Sequence, residues 1–302
     1  MKRWIKRSIV GTVSVLAVAA GLLGVAIQIG YAKMNRVVKL PAYPISLRDD
    51  AASIERGHYL FESRGCSECH GANGGGTMFI RNDAAGLHIT APNISPGPGN
   101  VVAKYRAEDW ERTLRHGVKP NGRPLFIMPA EDFSRFTDDD IAAVVAYVRH
   151  LPPVPGGRAA FDLPLVLPAL YAVGLFKDAA EKIDHTLPPA KPVREAVTAE
   201  HGRYVVQGCQ GCHGPNLSGG KVPGAPPDWP ASANLTPGEG SVMPRYASPD
   251  AFKAMLRSGR RPDHSEVSKV MPFASLSKLS DVDIAAVYLY LKSLPPRGAG
   301  GR

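Results

Sequence analysis

The 302-residue chain is 44% hydrophobic, carries 31 glycines and 28 prolines, and has a formal charge of +9. Its length admits two domains with cores of their own, which excludes a single small disulfide scaffold, and its Gly and Pro content demands many turns and irregular loops. Seven of the 36 basic residues (Lys2, Arg3, Lys6, Arg7, Lys33, Arg36 and Lys39) precede Pro41 with no acidic residue among them; the other 29 stand against 27 acidic ones, so the body is near neutral and offers no footprint for nucleic acid.

Ile9 to Ile29 is a run of 21 residues without a charge, rich in Val, Leu, Ala and Gly, and long enough to cross a bilayer as a helix. The cations before it place the N-terminus inside and everything after Tyr31 outside. Cleavage as a signal peptide is the alternative, with small residues on offer at Gly30-Tyr31-Ala32; export is expected either way.

Ser53 to Gly65 reads as a short helix, stopped by its glycine, that delivers Cys66-Ser67-Glu68-Cys69-His70. A loop with Pro92-Asn93-Ile94-Ser95-Pro96-Gly97 follows, and then a helix from Glu108 to Gly117 with Trp110 as a bulky core residue. Met128-Pro129 precedes the last helix of this half. That helix begins at Thr137, where Asp140 three positions on resembles a capping box, and Pro152 ends it. Ile141, Val144, Val145 and Val148 share one face, expected to pack on the N-terminal helix of the same domain. The linker after Val154 holds an apolar run, Phe161 to Phe176, too short to span a bilayer. Packing across the first domain is expected of it, with contact to a membrane surface or a partner subunit as the weaker alternative.

The second half repeats the first. Val197 to Gly208 reads as a short helix likewise stopped by its glycine, leading into Cys209-Gln210-Gly211-Cys212-His213, and His213 follows His70 by 143 residues. The same offset relates Met128-Pro129 to Met271-Pro272, Ile141 to Ile284, Tyr147 to Tyr290, and Leu151-Pro152-Pro153 to Leu294-Pro295-Pro296. Ala233-Asn234-Leu235-Thr236-Pro237-Gly238 answers the earlier Asn-Ser loop. Pro249 to Gly259, capped by Ser248, answers the Trp110 helix with Phe252. A final helix from Ser280, with Asp283 three positions on, presents Ile284, Val287, Tyr288 and Leu291. Expected boundaries are an anchor over 1–40, domains over 41–153 and 197–302, and a linker over 154–196.

All four cysteines fall into the two Cys-x-x-Cys-His motifs. That spacing lets two thiols reach the two vinyl groups of one haem while the adjacent imidazole comes under its iron, so two covalently bound haem c groups are expected on Cys66, Cys69, His70 and on Cys209, Cys212, His213. A four-thiolate zinc site and two disulfides are the competitors, and neither explains a histidine directly after each second cysteine. Each repeat methionine follows its motif histidine by 58 residues, which makes Met128 and Met271 the sixth ligands beside His70 and His213. Met243-Pro244, Met78 and Met255 have no counterpart in the other half. Ligation by one of the unmatched histidines, His58, His88, His116, His150, His185, His201 or His264, is the alternative; surface or hydrogen-bonding roles are expected of them. The Asn and Ser or Thr of the repeated loops are expected to hydrogen-bond a haem propionate or brace the loop, with simple turn chemistry as the alternative.

With these motifs in place, each half resembles a class I cytochrome c domain over about Ser53 to Pro153 and Val197 to Pro296. The expected fold is all-α, two such domains in tandem after a transmembrane helix. The Asn-Ile-Ser-Pro and Asn-Leu-Thr-Pro loops, the Arg-x-Gly stretches at Arg115 and Arg257, and the Met-Pro segments resemble the multihaem cytochrome subunits of membrane-bound bacterial alcohol and aldehyde dehydrogenases. The resemblance implies a single-pass protein of the bacterial inner membrane with haem domains in the periplasm. It further implies an electron-transfer subunit without catalytic residues, working between a dehydrogenase subunit and a respiratory acceptor. A dihaem enzyme of the peroxidase or thiosulfate dehydrogenase type and the cytochrome subunit of a haem-copper oxidase are the alternatives.

Overall fold

A computed structural model describes residues 3–41, 43–226 and 228–301; Lys2, one of the flanking cations, lies outside them. The chain opens with α1 (Arg3–Met34), a helix of 32 residues in which Gly30 alone is buried. The first half then builds α2 (Ala51–Ser63), α3 (Cys66–His70), a hairpin of β1 (Met78–Asn82) and β2 (Leu87–Thr90), α4 (Ala107–His116) and α5 (Asp138–His150). The linker adds β3 (Ala160–Asp162), α6 (Val166–Ala172) and α7 (Ala179–Lys182). The second half runs through α8 (Ala199–Val205), α9 (Gln207–His213), α10 (Pro249–Ser258), α11 (Phe273–Leu276) and α12 (Asp281–Ser293).

In each half the first helix packs on the last, α2 on α5 and α8 on α12. Ile141, Val144, Val145 and Val148 are buried on α5, and Ile284, Val287 and Leu291 on α12, while Tyr288 stays half-buried and donates its hydroxyl to the Tyr246 carbonyl at 2.9 Å. Trp110 and Phe252 are buried in matching positions. The two helix pairs cross with their backbones in contact. A Cβ on Gly57 would stand 1.9 Å from the Ala143 carbonyl oxygen, and one on Gly202 would stand 2.0 Å from that of Ala286. Gly57→Ala and Gly202→Ala are each expected to cost about 2–3 kcal/mol, because a packed backbone must move aside. Thermal unfolding of the holoprotein reads this as a lowered midpoint; an unchanged midpoint would show that the crossing is looser than described.

Two sequence expectations need correction. The fold is mainly helical but not all-α, since β1, β2 and β3 form an antiparallel sheet in the order β1-β2-β3. Ile80 pairs with Ile89 across the hairpin, and Gly86 closes the turn in the left-handed conformation (φ 61°). β-Branched residues facing one another favour strand pairing, which helical periodicity could not reveal. The second correction concerns the glycine stops. Gly65, at φ 80°, does separate α2 from α3, but Gly208 lies inside α9, and the break in the second half falls at Val206 instead.

Candidate cofactor sites

The Cys-x-x-Cys-His motif of each half occupies a short helix, so its two cysteines stand three residues apart on one face with the histidine just beyond. No disulfide joins the four cysteines, and among the described residues no three His, Cys, Asp or Glu side chains converge as a zinc site would require. Burial in apolar surroundings pushes the Cys66 and Cys209 thiols up to about 12, away from the reactive thiolate that thiol exchange requires.

Neither histidine is left to rotate. His70 Nδ1 lies 3.0 Å from the Pro92 carbonyl oxygen, and His213 Nδ1 lies 2.9 Å from that of Ala233. A ring that donates from Nδ1 presents a bare Nε2, the tautomer that binds iron. Burial lowers the His70 pKa further than the Pro92 carbonyl raises it, which favours the neutral form. These two acceptors were unreadable from the sequence, although both directly precede the repeated asparagine.

The asparagines explain why those carbonyls stay in place. Asn93 Oδ1 accepts from the Ser95 amide (2.8 Å) and hydroxyl (2.7 Å), and Asn234 Oδ1 accepts likewise from Thr236 (2.9 and 2.8 Å). Their amide nitrogens donate to carbonyls just past the last helix of each half, Val154 (3.0 Å) and Arg297 (2.7 Å). Of the readings of this loop the geometry supports bracing: beyond the turn bonds, each asparagine ties its loop to the chain past the last helix of its half.

The methionines separate by backbone as well as by burial. Pro129 (φ −79°, ψ 63°) and Pro272 (φ −79°, ψ 73°) each centre an inverse γ-turn, in which the Met128 and Met271 carbonyls accept from Ala130 (2.8 Å) and Phe273 (2.9 Å). Both methionines are half-buried against the cluster that holds their half's first cysteine, Cys66 or Cys209. Met243, by contrast, sits in a 3-10 turn at 1% exposure as a core residue; Met255 is core too, and Met78 is exposed on β1. The Arg-x-Gly stretches prove to be clamps behind these turns. Arg115 donates to the Ser134 and Phe136 carbonyls and to Asp138, and Arg257 to Ser277 and Asp281, tying the methionine segment to the start of the last helix.

Most of the unmatched histidines have other employment. His58 stacks on Tyr147, His88 meets Asp83, His116 meets His185 and Glu111, His150 meets the Ala146 carbonyl, and His201 lies 2.6 Å from Asp283. His264 lies in an exposed turn. Beside the first motif an apolar pocket is lined by Leu60, Cys66, Leu114, Phe133, Phe136, Ile141 and Val144, with Arg64. Two thiols, an oriented imidazole and an apolar wall are the donor set and surroundings a covalently held haem needs.

The two halves lock together at the capping boxes. The Tyr204 hydroxyl accepts from the Thr137 amide (3.2 Å) and donates to Asp140 (2.6 Å), while the Tyr59 hydroxyl accepts from Ser280 (3.0 Å) and donates to Asp283 (2.5 Å). Each tyrosine therefore bridges the other half's box, in place of the reach-back from Asp to the cap amide that the sequence pattern implied. Arg56 pairs with Asp140 at 2.9 Å and Arg64 with Asp283 at 2.9 Å. Each motif helix also touches the segment after the other half's methionine. Glu68 accepts from the Ser275 amide at 3.0 Å, and the Asp132 carboxylate abuts Gly211. Both attachment motifs thus lie at the shared interface.

Burial raises the Asp283 pKa, but Arg64, Tyr59 and His201 outweigh it and hold this carboxyl below the usual range. Its stabilisation is therefore fully present above the unfolded value of about 3.9 and is lost as pH falls through the lower folded value. Asp283→Asn is expected to cost about 3–5 kcal/mol at neutral pH, where it strips the partner from buried Arg64. It should also weaken the acid dependence of the thermal midpoint; an equally steep acid limb in the variant would contradict the assignment.

The cytochrome c family model matches residues 54–152 and 199–295. Over 290 residues the chain is 29% identical to the fructose dehydrogenase cytochrome subunit of Gluconobacter japonicus, covering 87% of this chain and 57% of that protein. It is 30% identical to the gluconate 2-dehydrogenase cytochrome c subunit of Pantoea cypripedii, covering 84% of this chain and 63% of the relative. A diheme cytochrome c-type protein of Cereibacter sphaeroides is 26% identical over 80% of this chain and 85% of its own length. The chain thus spans roughly three fifths of the two dehydrogenase subunits.

Proposed function

The chain belongs to the cytochrome c family and carries two covalently bound haem c groups, and from that premise we propose that it is a membrane-anchored electron carrier serving a dehydrogenase. In this reading the body forms two class I domains over 41–153 and 197–302, joined by 154–196 and tethered by 1–40. α1 crosses the inner membrane of a bacterium, and both domains face the periplasm. Cys66 and Cys69 hold the first haem, with His70 and Met128 as its axial pair; Cys209 and Cys212 hold the second, with His213 and Met271.

Each haem, when bound, supplies a one-electron couple at its iron. The chain's own residues set the conditions. Pro92 and Ala233 fix the imidazole tautomer, the γ-turns and arginine clamps order the segments that carry the methionines, and the apolar wall beside Cys66 excludes water. The Tyr59 and Tyr204 bridges keep the two attachment motifs at one interface. Donor and acceptor are a dehydrogenase subunit and a respiratory component, as the names of the relatives suggest by analogy.

The observation that carries this reading is the match between the two sites: the same γ-turn directly follows the repeat methionine in each half. Isolation of the native complex from its membrane tests it. A copurifying dehydrogenase whose substrate reduces both haems is expected. A copper-containing oxidase instead, or peroxide turnover by the purified reduced chain, would overturn the carrier reading in favour of an oxidase subunit or a dihaem enzyme.

A further inference from the structure

The linker run 161–176 does not simply cover the first domain. Its helix α6 packs against the C-terminal end of α1, and the contact is at backbone distance: a Cβ on Gly30 would stand 2.0 Å from the Pro168 carbonyl oxygen. Polar bonds fix the arrangement. Lys33 Nζ donates to the Tyr171 carbonyl (3.3 Å) and pairs with Glu181 (2.9 Å), and Arg36 pairs with Asp178 through both terminal nitrogens (2.5 and 3.1 Å). Tyr171 and Asp178 are wholly buried and hydrogen-bond to each other. α6 is therefore level with Gly30 and rigidly attached to α1.

That level has a physical meaning. At 1.5 Å per residue, Ile9 to Ile29 measures about 30 Å, the thickness of a bilayer's hydrocarbon core, so Gly30 stands at its outer boundary. Inward-facing Pro168, Ala169 and Tyr171 are buried. Leu165, Val166, Val173 and Leu175 point the other way and are 74%, 47%, 68% and 62% exposed. Four aliphatic side chains bared within eleven residues would be costly in water, and Lys177 stands two residues past the last of them.

We propose that this face of α6 and its flanks docks into the outer lipid leaflet beside α1, with Leu165, Val166, Val173 and Leu175 in the acyl boundary and Lys177 among the headgroups. The occupant is lipid because the surface is continuous with the membrane helix and lies at the depth where the bilayer begins. Two contacts, a spanning helix and an interfacial one, hold the first haem domain at one height and tilt, where a single helix would leave it to swing. The proposal rests on the reading that α1 spans.

The full-length holoprotein in nanodiscs of phosphatidylcholine and phosphatidylglycerol tests it, with single nitroxides placed through Leu165→Cys, Leu175→Cys, Val18→Cys and Leu289→Cys. Val18 lies mid-span and Leu289 is exposed on α12. Labels at 165 and 175 are expected to show a several-fold loss of nickel-chelate collisions relative to 289, together with raised oxygen collisions, and the label at 18 to be deeper still. If 18 is in lipid while 165 and 175 match 289, the anchor stands and the docking is wrong. Protection of 165 and 175 from both reagents would mean that protein covers them, which also overturns it. An aqueous label at 18 would sink the anchor reading, and this proposal with it.

Discussion

Met128→Ala is expected to lower the midpoint potential of one haem and Met271→Ala that of the other, each leaving its neighbour unchanged. A thioether favours ferrous iron, so its loss moves the couple downward. Axial ligands tune haem over roughly 0.8 V, and losing one methionine corresponds to a drop on the order of 0.1–0.3 V. Spectroelectrochemical titration reads both haems in one experiment. Met243→Ala is the necessary control, since it shares the Met-Pro dipeptide. Buried at 1% exposure among Val205, Phe252 and Ile284, it should cost about 2–5 kcal/mol of stability and shift neither potential. A potential shift from Met243→Ala, or none from Met271→Ala, would reverse the ligand assignment in the second half.

Cys66→Ser combined with Cys69→Ser should halve the haem content and leave a chain whose second site still titrates. The halves have separate apolar clusters, one around Phe61, Trp110 and Ile141 and the other around Val206, Phe252 and Ile284, so substitutions at the first motif leave the second cluster's packing in place. The Cys209→Ser, Cys212→Ser pair should give the mirror result. Iron analysis beside the absorbance of the reduced haem measures both. Full haem content in either double variant would show that these thiols do not attach it.

How much of this could be read in advance depended on whether a residue acts along the chain or across space. The attachment motifs, the pairing of Met128 with Met271 and the helix starts at Thr137 and Ser280 follow from spacing and local chemistry, and the offset of 143 residues separated them from lookalikes. Tyr59 and Tyr204 gave no such signal, because their partners lie 224 and 64 residues away in the other half. The spacing marks Asp140 and Asp283 as caps and carries no sign that the two halves meet there. The hairpin is silent for a different reason: two short strands pair through Ile80 and Ile89, and a run that short shows no clear period. The role of Asn93 and Asn234 stayed open until their amides were seen to reach Val154 and Arg297, beyond the last helix of each half.

Everything rests on two porphyrins bound through sulfur. Intact-mass analysis of the mature protein under denaturing conditions tests this most directly. The polypeptide should carry the added mass of two haems that acid and organic solvent do not remove. A chain of unmodified mass, or one that loses its iron on denaturation, would contradict the attachment and with it the electron-transfer role.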